Sequence, residues 1–403
     1  MDFDALILNA RLRQSLATVR SLGRRGLRVA AVASAGRAVP TFASRWCAKA
    51  FEFPAEEAPD AYLSALDDWL GRFRAPVLIT SHDGTIDLLR RHRDRFGPDV
   101  RVALAGEAAL TVAVNKERTL AAARRLGLHV PREVVVRDAA GLRSALREIG
   151  LPAVVKPTES WVHHGTAGEW VGPRLVVDEA EAREAADPVT GSGAAVLYQE
   201  FLTGRREAVS FLYAKGEVHA RFAQWAQRTR PPLGGESVLR QAIAVPEDIG
   251  RQAEALVREI DLEGYSEVEF RRDAAGVPYL MEINPRLSAS VEVAIRAGVD
   301  FPWLVYQWAS AQQVDRVEGY RVGGWMRHLG ADIDTTLSAV LARGRPGTPA
   351  PGRAVLDFGR SFLRPAGYDY FSWRDPGPAV AATAGFVRDV ARRAVARARR
   401  MNG

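Results

Sequence analysis

Tyr279-Leu280-Met281-Glu282-Ile283-Asn284-Pro285-Arg286 decides how this chain is read. In an extended strand successive side chains point to opposite faces, so Glu282, Asn284 and Arg286 share one face, with Met281 and Ile283 facing inward. That face offers a carboxylate, an amide oxygen and a guanidinium side by side. Oxygen donors of this kind suit Mg²⁺, which takes one or two carboxylates and completes its shell with substrate phosphates. The arginine can pair bidentately with phosphate or carboxylate. Upstream, Tyr265-Ser266-Glu267-Val268-Glu269-Phe270 is a second alternating strand, and Asp273 to Pro278 reads as the turn between the two. Antiparallel neighbours joined this way bring Glu269 beside Glu282. Two adjacent carboxylates repel unless a cation lies between them. A half-solvated hairpin with surface charges is the alternative; the Pro after the polar pair and the inward Met and Ile count against it.

Glu269, Glu282-Ile283-Asn284 and Pro285-Arg286 resemble the metal-binding signature of the ATP-grasp superfamily, in its carboxylate–amine ligase-like branch. The resemblance implies that Glu269, Glu282 and Asn284 hold Mg²⁺ on ATP, with Mn²⁺ as the alternative ion, and that Arg286 faces the transferring phosphoryl group. Lysine usage gives an independent test, because only four lysines occur, at 49, 116, 156 and 215, among 55 basic residues. Lys156 ends the apolar strand Leu151 to Pro157, where the resemblance places the lysine for the α- and β-phosphates. Lys116 opens a helix that leaves through Gly127 and Pro131, as the family's first lysine-bearing helix does. Lys49 and Lys215 read as solvated surface. On the adenine side, the resemblance assigns base contacts to the backbone of Glu200, Phe201 and Leu202 and the ribose hydroxyls to Glu207; ordinary charge at a strand end is the alternative for both glutamates.

The loop over the triphosphate departs from the family, whose loop is small and glycine-rich so that backbone N–H groups approach phosphates. Here it reads Thr158-Glu159-Ser160-Trp161-Val162-His163-His164-Gly165-Thr166-Ala167-Gly168. Trp161 and the adjacent histidines are bulky, and neighbouring histidines on an extended loop point apart, a poor arrangement for a metal.

Length and composition bound the rest. The 403 residues exceed one core, and 47% apolar with 26% charged residues is the make-up of a globular protein. No apolar run approaches a membrane span, the start lacks a basic n-region, and a lone Cys47 allows no internal disulfide, so a cytoplasmic protein without stable membrane insertion is expected. The net charge of +7 is concentrated in Phe386–Gly403, where six arginines face one aspartate. With a nearly neutral body, nucleic acid is not an expected partner; the terminal helix either caps the domain in solvent or meets an acidic partner or surface.

The expected fold is α/β and α+β multidomain. Residues 1–109 alternate strand and helix as a doubly wound parallel, Rossmann-like domain of the pre-ATP-grasp kind, with Asn9 to Arg13 and Ser81-His82-Asp83-Gly84 on its ligand rim. Residues 110–304 are the two-part ATP-grasp fold (110–151, then the nucleotide and metal sheet 152–304), and 305–403 are a C-terminal extension ending in the basic helix. Trp225 to Ser237 reads as a mobile loop. The first βα turn lacks G-x-G-x-x-G, and there is no P-loop and no nucleophile elbow. The expected activity is ATP-dependent joining of a small-molecule carboxylate to an amine through an acyl phosphate, with Lys156 and Arg286 catalytic and Lys116 and Lys156 on the nucleotide. A biotin-type carboxylase, an ATP-grasp kinase and a non-catalytic nucleotide-binding module are the rivals. The acid, the amine and the oligomeric state are not legible.

Overall fold

The computed structural model describes residues 2–36, 38–165, 167–231, 234–342 and 344–401, with side chains to residue 392. Thr166 of the triphosphate loop, Pro232 and Leu233 of the expected mobile loop, and the side chains of Arg393, Arg397, Arg399 and Arg400 lie outside the described residues.

The first strands are short, with Ala5–Ile7 and Val77–Ile79 wholly apolar, and helices separate most of them. They are β1 (Ala5–Ile7), α1 (Arg13–Gly23), β2 (Val29–Ser34), β3 (Cys47–Phe53), α2 (Pro59–Arg72), β4 (Val77–Ile79), α3 (Asp83–Arg91) and β5 (Arg101–Val102). Their order in the parallel sheet is β3-β2-β1-β4-β5. The order reverses between β1 and β4, which makes the carboxyl ends of these two strands the ligand crevice. Asn9 to Arg13 and Ser81 to Gly84 stand there, as expected. Strand β3 was not expected from the sequence, because Lys49 and Glu52 hide its pattern; Lys49 is exposed, as expected, with its ammonium over the Phe51 and Phe73 rings.

Next come α4 (Glu107–Ala113), α5 (Lys116–Arg125), β6 (Glu133–Val136), α6 (Ala139–Ile149), β7 (Ala153–Pro157), β8 (Trp161–His164), β9 (Ala167–Trp170), β10 (Arg174–Val176), α7 (Glu179–Gly191) and β11 (Val196–Glu200). Strands β10-β7-β11-β6 form an antiparallel sheet, backed by the apolar sides of α6 and α7, while β8 and β9 pair only with each other. Asn115 caps α5 by accepting from the Arg118 amide (3.1 Å), fixing where Lys116 leaves the helix.

The remaining elements are β12 (Arg206–Ala214), β13 (Glu217–Arg230), β14 (Glu236–Ile243), α8 (Glu247–Glu259), β15 (Gly264–Arg272), β16 (Pro278–Asn284), α9 (Glu292–Ala297), α10 (Phe301–Ala309), β17 (Trp325–Arg327), α11 (Leu329–Leu341), α12 (Pro351–Arg360), β18 (Ala366–Tyr368) and α13 (Gly377–Met401). Seven strands, β16-β15-β12-β13-β14-β17-β18, make one sheet. One face carries Val209, Val268, Phe270, Leu280 and Ile283 onto α8, in the core that continues through Leu197. The other face packs Leu212, Phe222, Tyr265 and Met326 against β1, α1 and α10. The expected mobile loop is largely strand: Trp225, Ala226 and Arg228 to Arg230 pair with β14. Its polar residues are satisfied by neighbours, as in Arg228 with Asp332 at 2.6 Å. No helix among the described residues is long and apolar enough to cross a membrane.

The segment after β18 is stitched to α1 by buried charge. Asp369 accepts from Arg13 Nη1 at 2.6 Å and Arg240 Nη1 at 3.2 Å, and Asp375 accepts from Arg20 Nε at 2.9 Å. Burial alone raises the Asp369 pKa, but Arg240 and Arg13 overcome it and hold the carboxyl below the usual carboxylate range. A depressed folded pKa adds stability at pH above roughly 4 that is lost as pH falls toward the folded value. Breaking one side of such a buried pair costs about 3–5 kcal/mol. Asp369→Asn is therefore expected to lower the urea midpoint sharply at pH 7 and to flatten the loss of stability below pH ~4; an unchanged midpoint would refute this account.

Candidate active site

Cross-strand register places the carboxylates. Glu269 stands directly opposite Glu282, and Glu267 opposite Asn284, so all four side chains share the sheet face turned away from α8. The register shifts between Glu269 and Phe270, which leaves Met281 as an extra residue in β16. This corrects the inward assignment of Met281: Leu280 and Ile283 enter the core instead, and the Met281 carbonyl accepts from Lys156 Nζ at 3.3 Å. The bulge thus ties Lys156 of β7 to β16.

Cations surround the carboxylates. Arg206 Nε donates to Glu269 Oε2 at 2.8 Å, and Asn284 Nδ2 to Oε1 at 3.2 Å. Burial raises the Glu269 pKa, with Glu282 and Glu267 adding to the rise and Arg206 opposing it. Burial acts upward on Glu282 too, but Lys116 and Lys156 outweigh it and hold that carboxyl down. Lys156 is pushed down to about 8, by burial first and by Lys116 second, against the pull of Glu282. Lys116 Nζ donates to Ser160 Oγ at 2.9 Å, and its backbone amide to the Thr158 carbonyl at 2.8 Å. Glu267 was not singled out in the sequence, although alternation from Glu269 signals it; it accepts from Gln224 Nε2 at 2.8 Å.

Arg286 reaches across to the N-terminal domain. Its Nε and Nη2 donate to the two oxygens of Asp83 at 2.5 and 3.2 Å. Trp170 Nε1 donates to the same carboxylate at 3.0 Å, so Asp83 joins α3, β9 and the segment after β16. The expected phosphate loop is the hairpin β8–β9, seated on α3. Trp161 lies over Gly84 and Gly168, where an added Cβ would stand 2.6 and 2.3 Å from its ring atoms. His163 Nε2 lies 3.0 Å from Asp87 Oδ2, and His164 Nε2 3.0 Å from Glu169 Oε1, so the histidines point apart as expected. Beneath the hairpin is a cleft with ≈ 40 Å³ of room, lined by Asp83, Lys116, Ser160, Trp161, Glu282 and Asn284.

The adenine-side residues divide. Glu200, Phe201 and Leu202 connect β11 to β12 at the far end of the β7–β11 ladder from Thr158, with Glu200 opposite Ala153. The Glu200 carboxylate is taken by Arg132, accepting from its amide at 2.9 Å and Nε at 3.0 Å. Glu207 is not brought to the site. It pairs in register with Phe270, so alternation turns it to the face opposite Glu269, where Arg205 and Arg272 hold it at 2.9 and 2.7 Å. Arg206 occupies the site face in its place. Gln199 is two residues along β11 from Leu197, the partner of Lys156, and so shares the Lys156 face. It is fully buried, and neither its amide oxygen nor its amide nitrogen has a hydrogen-bond partner. Such an orphan is costly unless a ligand satisfies it.

The donor set fits a hard divalent ion: two carboxylates and an amide oxygen on one face, with remaining positions left to phosphates. Among the described residues no group of three or more His, Cys, Asp or Glu is placed to hold a metal by itself. Seating of the hairpin is testable apart from chemistry. Gly84→Val is expected to unseat Trp161 and to raise chymotrypsin cleavage after Trp161 or Trp170 roughly tenfold; unchanged cleavage would show that the hairpin does not depend on that contact.

Residues 193–325 match the family described as "ATP-grasp in the biosynthetic pathway with Ter operon". The D-alanine–D-alanine ligase of Stutzerimonas stutzeri (strain A1501) is 28% identical over 219 residues, which is 50% of this chain and 66% of that protein, just short of two thirds of its length. Among solved structures, biotin carboxylase from Campylobacter jejuni, as a complex with β-γ-ATP, has a TM-score of 0.62 at 16% identity, over 80% of this chain and 74% of its own. An ADP complex of N5-carboxyaminoimidazole ribonucleotide synthetase also has a TM-score of 0.62, at 15% identity over 89% and 95% of the two chains. At those identities the structures speak for the fold alone. They show that this chain shares the fold of those proteins, and the family match places an ATP-grasp region over residues 193–325, which carries the carboxylate face.

Proposed function

We propose that this chain is an ADP-forming ligase that activates a carboxylate as an acyl phosphate on ATP and joins it to an amine. The observation that carries the reading is Glu269 beside Glu282, with Asn284, on one buried face bounded by Lys116, Lys156 and Arg206. The likeness to a D-alanine–D-alanine ligase supports the reaction class.

A carboxylate is a poor electrophile. When its oxygen attacks the γ-phosphorus of ATP, the bond to ADP breaks and a mixed anhydride forms. An amine nitrogen then attacks the carbonyl carbon, phosphate leaves with the C–O bonding pair, and the amine loses a proton. Neither step needs a protein nucleophile; both need positioning and charge neutralisation. Lys116 and Lys156 meet the α- and β-phosphates. Burial has already lowered Lys156 to about 8, and an arriving phosphate favours its protonated form. Glu269, Glu282 and Asn284 would hold Mg²⁺, or Mn²⁺, which supplies charge neutralisation between phosphates when bound. Arg286, oriented by Asp83, stabilises the transferring phosphoryl group and then the tetrahedral oxyanion. The orphan amide of Gln199, close to Glu200–Leu202, suits the polar edge of a purine. A non-catalytic nucleotide-binding module is the second reading, favoured by the hairpin that leaves so little room above Glu282.

Hydroxylamine trapping separates the two. With Mg·ATP and pooled carboxylic acids, ADP and hydroxamate are expected together in the wild type and neither in Lys156→Ala. Nucleotide binding without either product across the pool would favour the non-catalytic module, and ADP without hydroxamate would favour a kinase. The assignment of the base and ribose end is tested by affinity for Mg·ADP. Gln199→Leu is expected to weaken it about tenfold or more, the loss of a hydrogen-bonded buried amide. Glu207→Gln, facing away, is expected to leave it within about twofold; the reverse ranking would restore Glu207 to the nucleotide.

A further inference from the structure

A cleft of ≈ 1870 Å³ opens between α1, α9, the segment 366–374, α11 and α13, away from the cleft under the hairpin. Pockets for small ligands hold roughly 300–1,000 Å³, so its size suits several residues of an extended chain. Its charged lining is nine arginines against five carboxylates. Arg24, Arg321, Arg374 and Arg392 are exposed and have no carboxylate within 4.0 Å among the described residues, whereas Arg20, Arg25, Arg230 and Arg296 are each paired. The same wall carries Tyr368, Phe371, Trp373 and Phe386, and Trp373 is 87% exposed with its ring 4.8 Å from Phe371. Arginine and aromatic side chains concentrated in one concave surface are the residue types that dominate binding interfaces.

We propose that this cleft binds an acidic peptide, an extended chain with spaced carboxylates, as the body of one of the two substrates. Guanidinium groups pair bidentately with carboxylates, and the acids interleaved among these arginines suit separated negative charges rather than the dense phosphates of a nucleic acid. Place favours a substrate. The inner wall includes Asp369, whose partners Arg13 and Arg240 stand at the crevice of the parallel sheet and on the metal-bearing face of the seven-stranded sheet. From Arg240 a chain of contacts runs through the Ser290 carbonyl (3.4 Å) and the Ser290 side chain to Gln224, and on to Glu267 at 2.8 Å. A run of buried polar contacts thus joins the inner wall of the cleft to the face that carries Asn284. The proposal rests on the ligase reading for the peptide's role, and not for its binding.

The test is fluorescence anisotropy of a fluorescein-labelled hexaglutamate, without nucleotide, on the full chain. Saturable binding is expected at about 50 mM salt, weakening at higher salt. Arg24→Glu with Arg374→Glu should weaken it tenfold or more, and Trp373→Ala severalfold, while Arg143→Glu with Arg147→Glu on α6 should leave it unchanged. No saturable binding, equal loss in the α6 control, or equal competition by hexathymidylate would overturn the proposal. Mg·ADP affinity, followed in the same variants, is expected to stay unchanged, so a failure here leaves the ligase reading standing and a failure of nucleotide binding leaves this one standing.

Discussion

Like charges gathered on a buried face must be neutralised there, and much of this molecule is arranged around that requirement. Glu267, Glu269 and Glu282 share one face of the seven-stranded sheet, and Asp83 meets them from the opposite side. Burying such groups unpaired would cost several kcal/mol each. The chain supplies Arg206 from β12, Lys156 from β7, Lys116 from the start of α5 and Arg286 from beyond β16. No two of these cations come from the same element. Charge balance therefore couples the parallel domain, the small sheet and the large sheet more specifically than apolar packing can, because each cation must arrive in register with its carboxylate.

The two facing glutamates do not share this environment equally. Glu282 lies toward two lysines and is held ionised; Glu269 has one arginine and two acidic neighbours, and burial pushes it toward its protonated form. In the absence of ligand the face thus holds less negative charge than its residue count implies. A divalent ion bound there would favour full ionisation of both, so binding and deprotonation would be linked. Lys156 behaves in the opposite sense, since burial weakens its charge and a bound anion would restore it.

Period-two alternation made the centre of the site legible. Counting from Glu269 and Glu282 puts the two carboxylates and Asn284 together without any tertiary information, and of the four lysines the resemblance singles out 116 and 156. The same rule misleads where backbone irregularity intervenes. The bulge at Met281 has no local sequence mark, because Tyr-Leu-Met-Glu alternates acceptably in either register; only pairing with β15 shows it. The resemblance assigns Glu207 to the ribose, yet Arg206 faces the site, because face is set by register with Phe270 and not by distance along the chain. Trp225 to Arg230 read as loop because Arg228 and Arg230 find their carboxylates at Asp332 and Asp334, in a distant segment. Pairings over a hundred residues apart leave no trace in a local window.

The hairpin shows the limit most plainly. A glycine-rich loop needs small residues so that backbone can approach phosphate, and by that standard Trp161 and Trp170 are out of place. The structure gives them another use: Gly84 and Gly168 are small so that Trp161 can fit, and Trp170 donates to the carboxylate that orients Arg286. The glycines here serve an indole rather than a phosphate. The hairpin rests on α3 through Trp161 and on Asp83 through Trp170, and these contacts leave only a small cleft above Glu282. Arg286 is held by a separate contact, because its bidentate pair with Asp83 passes through neither indole. The bulk of the loop and the fixed orientation of Arg286 thus meet at a single carboxylate at the start of α3 without depending on one another.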